Sequence, residues 1–314
     1  MAGHLAPIRD DPAASVALAR AAVRARSGPD EPLEERLAYV EREIRSERFR
    51  GGLWFEEDRA VGLAWWDLPG PIGANLRLTY LEPEVATPAR YRELLDSVER
   101  AAGTLVMASP LPGLTEQEEA EVFGGLGFAP FARVEMRFPT AAPLPDRQVA
   151  PGFVLRRLQP ADERAAARVH AAAFRGTFDW YLFLEDADPE RNAEKVVASL
   201  FQGQWGEYLP WASYAAETQG TLAGMTIALH APGRALIADV SVDPAYQGKG
   251  LGRALVSASI REMRDRREPV IALVVTEGNH RAFHLYESLG FVRAQGPDRR
   301  WYNTRAIPVG PDGR

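Results

Sequence analysis

Cysteine is absent from all 314 residues, which excludes disulfides, thiolate metal sites and a cysteinyl acyl intermediate. Any acyl chemistry must use another nucleophile or none. No stretch approaches roughly 18 uninterrupted apolar residues, and the opening segment "MAGHLAPIRDDP" has acids where a signal peptide carries its apolar core. The expectation is a cytoplasmic protein with no membrane partner. Basic charge is not in excess either: 37 basic against 43 acidic residues give a net charge of −6, which argues against nucleic acid as a bulk electrostatic partner. What remains is 46% hydrophobic and 25% charged, a globular composition in a chain long enough for two domains.

The chain repeats itself. "YLEPEVATPARYRELL" (Tyr80–Leu95) reads against "SVDPAYQGKGLGRALV" (Ser241–Val256) with Pro83 opposite Pro244, an offset of 161. "VFGGLGF" (Val122–Phe128) reads against "LYESLGF" (Leu285–Phe291) at 163, and "EEDRAVGLA" (Glu56–Ala64) against "ETQGTLAGMT" (Glu217–Thr226) at 162. Near-equal offsets in one order imply two copies of one domain. The expected organisation is a first domain over 1–140, a proline-rich linker over 141–152 and a second domain over 153–314.

Within the second copy, strand and helix patterns interleave. "FVLRRL" reads as a strand and "PADERAAARVHAAAF" as a helix opening with proline and acids. "WASYAAE", "TLAGMTIALH" and "ALIADVSV" are strands, with "APGR" (Ala231–Arg234) a turn between the last two. A helix follows to about Arg266, then the buried strand "PVIALVV", the helix "NHRAFHLYESLG" ended by Gly290, and a last strand "RRWYNTRAI". The fold class this predicts is α/β, a mixed β-sheet flanked by helices in each of two tandem domains.

Between a strand and a helix lies "DPAYQGKGLGRAL", with Gly248, Gly250 and Gly252 at alternate positions. Glycines weaken regular elements, so bare backbone is needed there, and N–H groups at a helix N-terminus are a phosphate-binding arrangement. The segment is not a P-loop, because Gly-Lys is followed by Gly250 in place of Ser or Thr, and the alternate glycines do not fit a dinucleotide fingerprint.

The pattern Gln247-x-x-Gly250-x-Gly252 after "VSVDP", followed by "LVVTEGNHRAFHLYESLGF", resembles the GNAT superfamily of acetyl-CoA-dependent N-acetyltransferases. The match covers Ala235–Tyr302 well and extends through the order of elements to Phe153–Ile307. The two copies resemble a tandem GNAT chain of mycothiol synthase-like architecture, with no substrate implied. The resemblance assigns Gln247, Gly248, Lys249, Gly250, Leu251, Gly252 and Arg253 to the pyrophosphate of CoA. Backbone groups of Val240 and Val242 would hold the pantetheine arm as an added strand, and Asn279 would hydrogen-bond that arm. Tyr286 falls on the family's proton-donor position; a phenol of ordinary pKa about 10 can protonate a thiolate.

Acetyl transfer also needs a base for the acceptor amine. Asp239, a carboxylate in an otherwise apolar strand, is the first candidate and Glu277 the second. Other family members carry a glutamate where this chain has Val274. Tyr286 also fits a core position beside Phe283 and Leu289, and Asp239 could serve a neighbouring backbone N–H. His280 and His284 have the spacing of a zinc pair but lack the intervening glutamate and a third ligand, so no metal is expected.

The first copy has Ala86-Thr87-Pro88-Ala89 where the second has Gln247-Gly248-Lys249-Gly250, and Phe123 where the second has Tyr286. It is expected to be folded and catalytically silent. The second copy has about 14 more residues before its paired strands, among them "FRGTFDWYLFLEDADPE" (Phe174–Glu190), aromatic and acidic. In the family this region lines the acceptor side. The expected partners are acetyl-CoA and a small amine or peptide acceptor: polyamine, amino sugar, antibiotic and peptide amine all stay open. The expected function is N-acetyl transfer by the C-terminal half; the alternative is an acyl-CoA-binding regulatory or scaffold protein.

Overall fold

Alternating apolar patterning punctuated by Gly and Pro builds alternating strands and helices, and a computed structural model describes them for residues 3–26, 33–44, 49–144, 148–231, 233–294 and 298–313. Part of the expected linker, residues 145–147, and Pro232 of the expected turn lie outside the described residues. The first half runs β1 (His4–Pro7), α1 (Pro12–Arg26), α2 (Leu33–Ile44), β2 (Phe49–Glu56), β3 (Arg59–Asp67), β4 (Ala74–Leu81), α3 (Pro88–Ala102), β5 (Leu105–Ala108), α4 (Glu116–Gly125) and β6 (Phe128–Phe138). The second runs β7 (Val154–Arg157), α5 (Glu163–Phe174), α6 (Phe178–Leu182), α7 (Pro189–Phe201), β8 (Glu207–Tyr208), β9 (Tyr214–Thr218), β10 (Thr221–Ala231) and β11 (Arg234–Val242). It ends with α8 (Leu251–Asp265), β12 (Ile271–Thr276), α9 (His280–Ser288), β13 (Val292–Arg293) and β14 (Asp298–Asn303).

The chain divides into two units, Met1–Phe131 with Arg299–Pro308, and Ala132–Asp298 with Val309–Arg314. The expected domains over 1–140 and 153–314 differ from these units at the last strands. In the first unit Trp301 and Tyr302 of β14 pair antiparallel with Ala108 and Met107 of β5. In the second, β12 pairs antiparallel with the part of β6 that runs from Arg133 to Phe138.

Each unit has the same strand order. The first is β1-β2-β3-β4-β5-β14 and the second β7-β9-β10-β11-β12-β6. All neighbours are antiparallel except one pair per unit, β4 with β5 and β11 with β12. A parallel pair needs a crossover, which α3 and α8 supply. Helices cover both faces in each unit: α1 and α2 close over Leu53, Leu63 and Leu78, and α5 and α7 over Met225, Ile227 and Leu229. On the opposite face α8 and α9 bury Val256, Ile260, Met263 and Phe283 against Ile237, Leu273 and Val275.

Two irregularities of the central strands recur in both units. The parallel pairing covers only Ala74–Leu76 of β4 and Ala235–Ile237 of β11. Beyond those residues the partner strand no longer pairs, and one edge of β4 and of β11 has no neighbouring strand. Just there each strand carries a bulge. Ile227 faces Asp239 and Ala228 faces Ile237, so Ala238 is the extra residue; in the first unit Trp65 faces Leu78 and Trp66 faces Leu76, so Arg77 is. Cross-strand neighbours share a face. Ile237 therefore joins Ala228 on the α8 face, whereas Asp239, two residues on, joins Ile227 on the α5 face.

Candidate active site

The glycine segment ends β11 and begins α8 as the spacing predicted. Gly248 and Gly250 hold φ of +78° and +75°, the left-handed region that side chains avoid, and a Cβ at either would meet no atom within 4 Å. Their exposed side is open space. Gly250 is the N-cap of α8 and supplies no side-chain acceptor, so N–H groups of the first helical turn lack the usual cap. Gly252 has a different role: a Cβ there would lie 3.3 Å from Leu285 Cδ2, so its smallness lets α8 sit close to α9.

Cationic groups gather around this turn. Lys249 Nζ lies 5.6 Å from the Phe153 ring centroid and 5.3 Å from that of Tyr246, two aromatic faces that steady the cation. Arg253 donates to Ser288 Oγ at 2.6 Å, and Arg281 donates to Gln247 Oε1. The other end of Gln247 donates to Val242 O at 2.9 Å, tying the turn to the end of β11. Leu251 is buried under the turn. Asp243 N donates across the sheet to Ala223 O, so by strand alternation the Val242 N–H points the other way, toward the edge that β12 has left. Val240 and Val242 lie on the α8 face of β11.

Tyr286 on α9 is 8% exposed and packs on Phe291, ring centroids 6.0 Å apart. Burial pushes its phenol up from the ordinary value, the carboxylates of Asp239 and Asp179 push it further, and the Arg133 guanidinium opposes them. The phenol therefore stays protonated through the neutral range.

Asp239 is turned by the bulge into the interior, where its side chain is 4% exposed. Its Oδ2 lies 2.7 Å from His170 Nδ1 on α5, and its Oδ1 accepts from Ser241 Oγ at 2.5 Å. A buried carboxylate in an apolar strand is thus satisfied by two side chains. The serine hydroxyl is bonded to the aspartate and not to the histidine, so the three are not arranged as a serine nucleophile with its base.

A second polar cluster holds the start of α9. Asp179 of α6 accepts from Arg133 at 3.0 Å and Thr276 Oγ1 at 2.5 Å on Oδ1, and from Asn279 at 3.2 Å on Oδ2. Asn279 uses its Oδ1 to cap α9 through Ala282 N. Both ends of its side chain are therefore occupied within the protein. Glu277 stands apart: its carboxylate is 46% exposed and paired with Arg293 at 2.9 Å.

The first unit presents a different surface at the equivalent place. Thr87 caps α3 by accepting from Arg90 N, and Pro88 occupies its first turn. Tyr91, opposite Gly252 in the repeat, is fully buried; its hydroxyl accepts from Leu81 N and donates to Pro112 O at 2.7 Å. Phe123, opposite Tyr286, stacks on Trp301 with centroids 4.9 Å apart.

Sequence reasoning brought Gln247, the glycines, Val242, Tyr286 and Asp239 into view. It passed over His170, Asp179, Arg133 and Arg281. His170 did leave a signal, since it is the one polar side chain among the buried Ala166, Ala167, Val169 and Ala171 of α5. Asp179 is a carboxylate set among Phe178, Trp180 and Tyr181.

The acetyltransferase (GNAT) family matches residues 178–291. A mycothiol acetyltransferase of Thermomonospora curvata is 32% identical over 293 residues, 90% of this chain and 91% of that protein. One of Thermobispora bispora is 34% identical over 167 residues, 50% of this chain and 52% of that protein. Among solved structures, a GCN5-related N-acetyltransferase from Sphaerobacter thermophilus aligns with a TM-score of 0.62 at 17% identity, covering 96% of this chain and 93% of its own. A tandem GNAT protein from the clavulanic acid biosynthesis pathway aligns at 0.56 and 20%, covering 96% of each chain. With a duplicated fold of this topology and a relative matched over nine-tenths of its length, the chain belongs to the GNAT acetyltransferase family and is an acyltransferase.

Proposed function

We propose that the second unit transfers an acetyl group from acetyl-CoA directly to a primary amine, and that the first unit is catalytically silent. The observation that carries this reading is the contrast at one edge of the central strand. At β11 the Val242 N–H points to an open edge beside an uncapped helix start and two left-handed glycines. At β4 the equivalent Leu81 N–H is taken by Tyr91, and the helix start is capped by Thr87.

The residues present suit CoA. The uncapped N–H groups at Gly250, Leu251 and Gly252, with Gly248 leaving room for close approach and Lys249, Arg253 and Arg281 nearby, favour a pyrophosphate dianion. Gln247 steadies the turn. The open edge of Val240 and Val242 suits the amides of a pantetheine arm. Asn279 acts chiefly by fixing the start of α9 and thereby Tyr286, which gives a proton to the departing thiolate. Asp239 belongs to the base side of the reaction, whereas Glu277, half exposed and already paired, is the weaker candidate.

The acceptor side is formed by the segment 174–190, in which Phe183 and the outlying Trp205 meet edge to face with centroids 6.3 Å apart. Both are more than a third exposed. Because full-length relatives are named mycothiol acetyltransferases, a small-molecule amine with a polar body is the first acceptor to try. The test is calorimetric titration with acetyl-CoA followed by release of free thiol in the presence of tyramine, spermidine and glucosamine. One cofactor per chain and amine-dependent thiol release are expected; two per chain, or none, overturns the reading.

A further inference from the structure

We propose that His170 is the base that deprotonates the acceptor amine, with Asp239 as its orienting carboxylate. The proposal rests on the reading of the second unit as an N-acetyltransferase and names a catalytic residue within it. Asp239 has both oxygens engaged, one by Ser241 and one by His170, and only 4% of its side chain is exposed. With both oxygens committed to these partners the carboxylate is not the group that meets the amine, whereas the imidazole bonded to it, itself 8% exposed, keeps one nitrogen uncommitted. His170 Nδ1 faces the carboxylate and so carries its proton, while Nε2 makes no hydrogen bond among the described residues. That tautomer leaves a lone pair on Nε2. The ring lies beside Phe174, centroid 4.8 Å away, and Trp180 at 6.2 Å, both in the segment read as the acceptor side.

The bulge at Ala238 makes the pair possible, because it turns Asp239 onto the α5 face. In the first unit the same bulge turns Leu78 inward, into an apolar cluster with α1. The duplication thus kept the backbone device and put a carboxylate on it in one copy only.

In the reaction, Nε2 takes a proton from the acceptor ammonium, the freed nitrogen lone pair attacks the thioester carbonyl carbon, and the C–S bond breaks. The thiolate receives the Tyr286 proton. The second proton lost by nitrogen as the amide forms restores Tyr286 through solvent, and the imidazolium releases its proton, so one proton leaves per turnover. The charged groups facing His170 are few. From β11 it meets Asp239; β10 presents Met225 and Ile227, and α7 presents Ala193 and Val197, all uncharged. Asp239 also faces Tyr286, whose phenol it raises together with Asp179, while Arg133 acts the other way.

The experiment compares the full-length protein with His170→Gln and Asp239→Asn, using the amine among tyramine, spermidine and glucosamine that is turned over fastest, or water where none outruns it. His170→Gln should lower kcat by about 10²–10⁴, abolish the acid limb of the pH–rate profile and leave stabilisation by acetyl-CoA intact. Asp239→Asn should lower kcat but retain an acid limb, because the base is still present. Nitrogen NMR of selectively labelled histidine should show the Nδ1–H tautomer at His170, changed in Asp239→Asn. Normal kcat in His170→Gln, an acid limb lost in Asp239→Asn but kept in His170→Gln, or an Nε2–H tautomer would overturn the assignment. Failure of acetyl-CoA to stabilise the unmodified protein would instead refute the acetyltransferase reading on which it rests.

Discussion

In the first unit the Tyr91 hydroxyl accepts a 3.2 Å hydrogen bond from Leu81 N and donates one of 2.7 Å to Pro112 O. A side chain has taken the strand edge that the second unit leaves open at Val242. That edge of the first unit is therefore closed from within, and its closure adds stability. Tyr91→Phe would leave a buried N–H unpaired and take a donor from a partly buried carbonyl, so the first unit should lose about 1–3 kcal/mol in denaturant unfolding while acetyl-CoA stoichiometry stays at one per chain. An unchanged unfolding midpoint would show that water replaces the phenol without cost.

Gly248 and Gly250 owe their identity to backbone conformation, since a Cβ at either position touches nothing within the protein. Alanine there is strained by its φ, at about 1 kcal/mol each, and also intrudes into the space proposed for pyrophosphate. Acetyl-CoA at 100 times its Kd should stabilise the unmodified protein by about 2.7 kcal/mol. Gly250→Val should abolish most of that gain, whereas the same change at Gly220, a turn glycine of φ +75° with open space around it, should cost stability without touching ligand stabilisation. Equal losses of ligand stabilisation at both positions would count against the glycine turn.

Much of this site was legible because its chemistry is local in sequence. The run from Asp243 to Arg253 carries turn, helix start and cations within one segment, and Tyr286 lies on the stripe of α9 that also buries Phe283. The repeat offsets exposed the duplication, and the loss of Gln247 and Tyr286 from the first copy could be read position by position. The His170–Asp239 pair was not legible. It depends on a one-residue bulge at Ala238, and alternation along "ALIADVSV" gives no hint that Asp239 faces a different helix from Ile237. Nor could the source of each unit's last strand be read, because both copies end in similar alternating strands.

Burial holds the phenols of Tyr91 and Tyr286 above the ordinary value of about 10. The folded state thus keeps these protons more tightly than the unfolded chain does. Their contribution to stability is full below about pH 10 and is lost as pH rises through the folded values. Activity should show no alkaline limb from Tyr286 below about pH 10. Tyr286→Phe should lower kcat by about 10²–10⁴ with acetyl-CoA affinity preserved, and should remove its share of the alkaline destabilisation. Normal turnover in this variant would make Tyr286 a packing residue.

Asp179 joins β6, β12 and α9 through Arg133, Thr276 and Asn279. Removing it takes the carboxylate from a guanidinium that is 19% exposed and that keeps Thr276 Oγ1 and the Phe183 ring beside it. Asp179→Ala should therefore destabilise the second unit by about 1–3 kcal/mol through the lost hydrogen bonds, more than Asp179→Asn, which keeps an acceptor for Thr276 and Arg133. Because Asn279 would lose its anchor, kcat should fall further than the affinity for acetyl-CoA. A loss confined to acetyl-CoA affinity would mean that Asn279 meets the ligand directly and not through the start of α9.

The strand that completes the second unit comes from before the linker. Residues 133–138 pair with β12 along its whole length and bury Val134, Met136 and Phe138 to 2% exposure or less. A fragment beginning at Pro151 lacks all three side chains and leaves β12 as an edge strand unpaired on that side. At about 1.5–3 kcal/mol for each buried side chain, the loss is comparable to the whole stability of an ordinary domain, about 5–15 kcal/mol. A fragment ending at Thr140 has the matching defect, since it lacks Trp301 and Tyr302. Neither piece should fold alone, even though each carries one full copy of the repeat. The two pieces expressed together should restore acetyl-CoA binding, because every strand is then supplied. Thermal unfolding followed by circular dichroism, with and without acetyl-CoA, tests both statements. A cooperative, ligand-stabilised transition in the fragment 151–314 alone would show that the strand before the linker is dispensable, and the boundary of the working unit would then follow the sequence repeat and not the sheet.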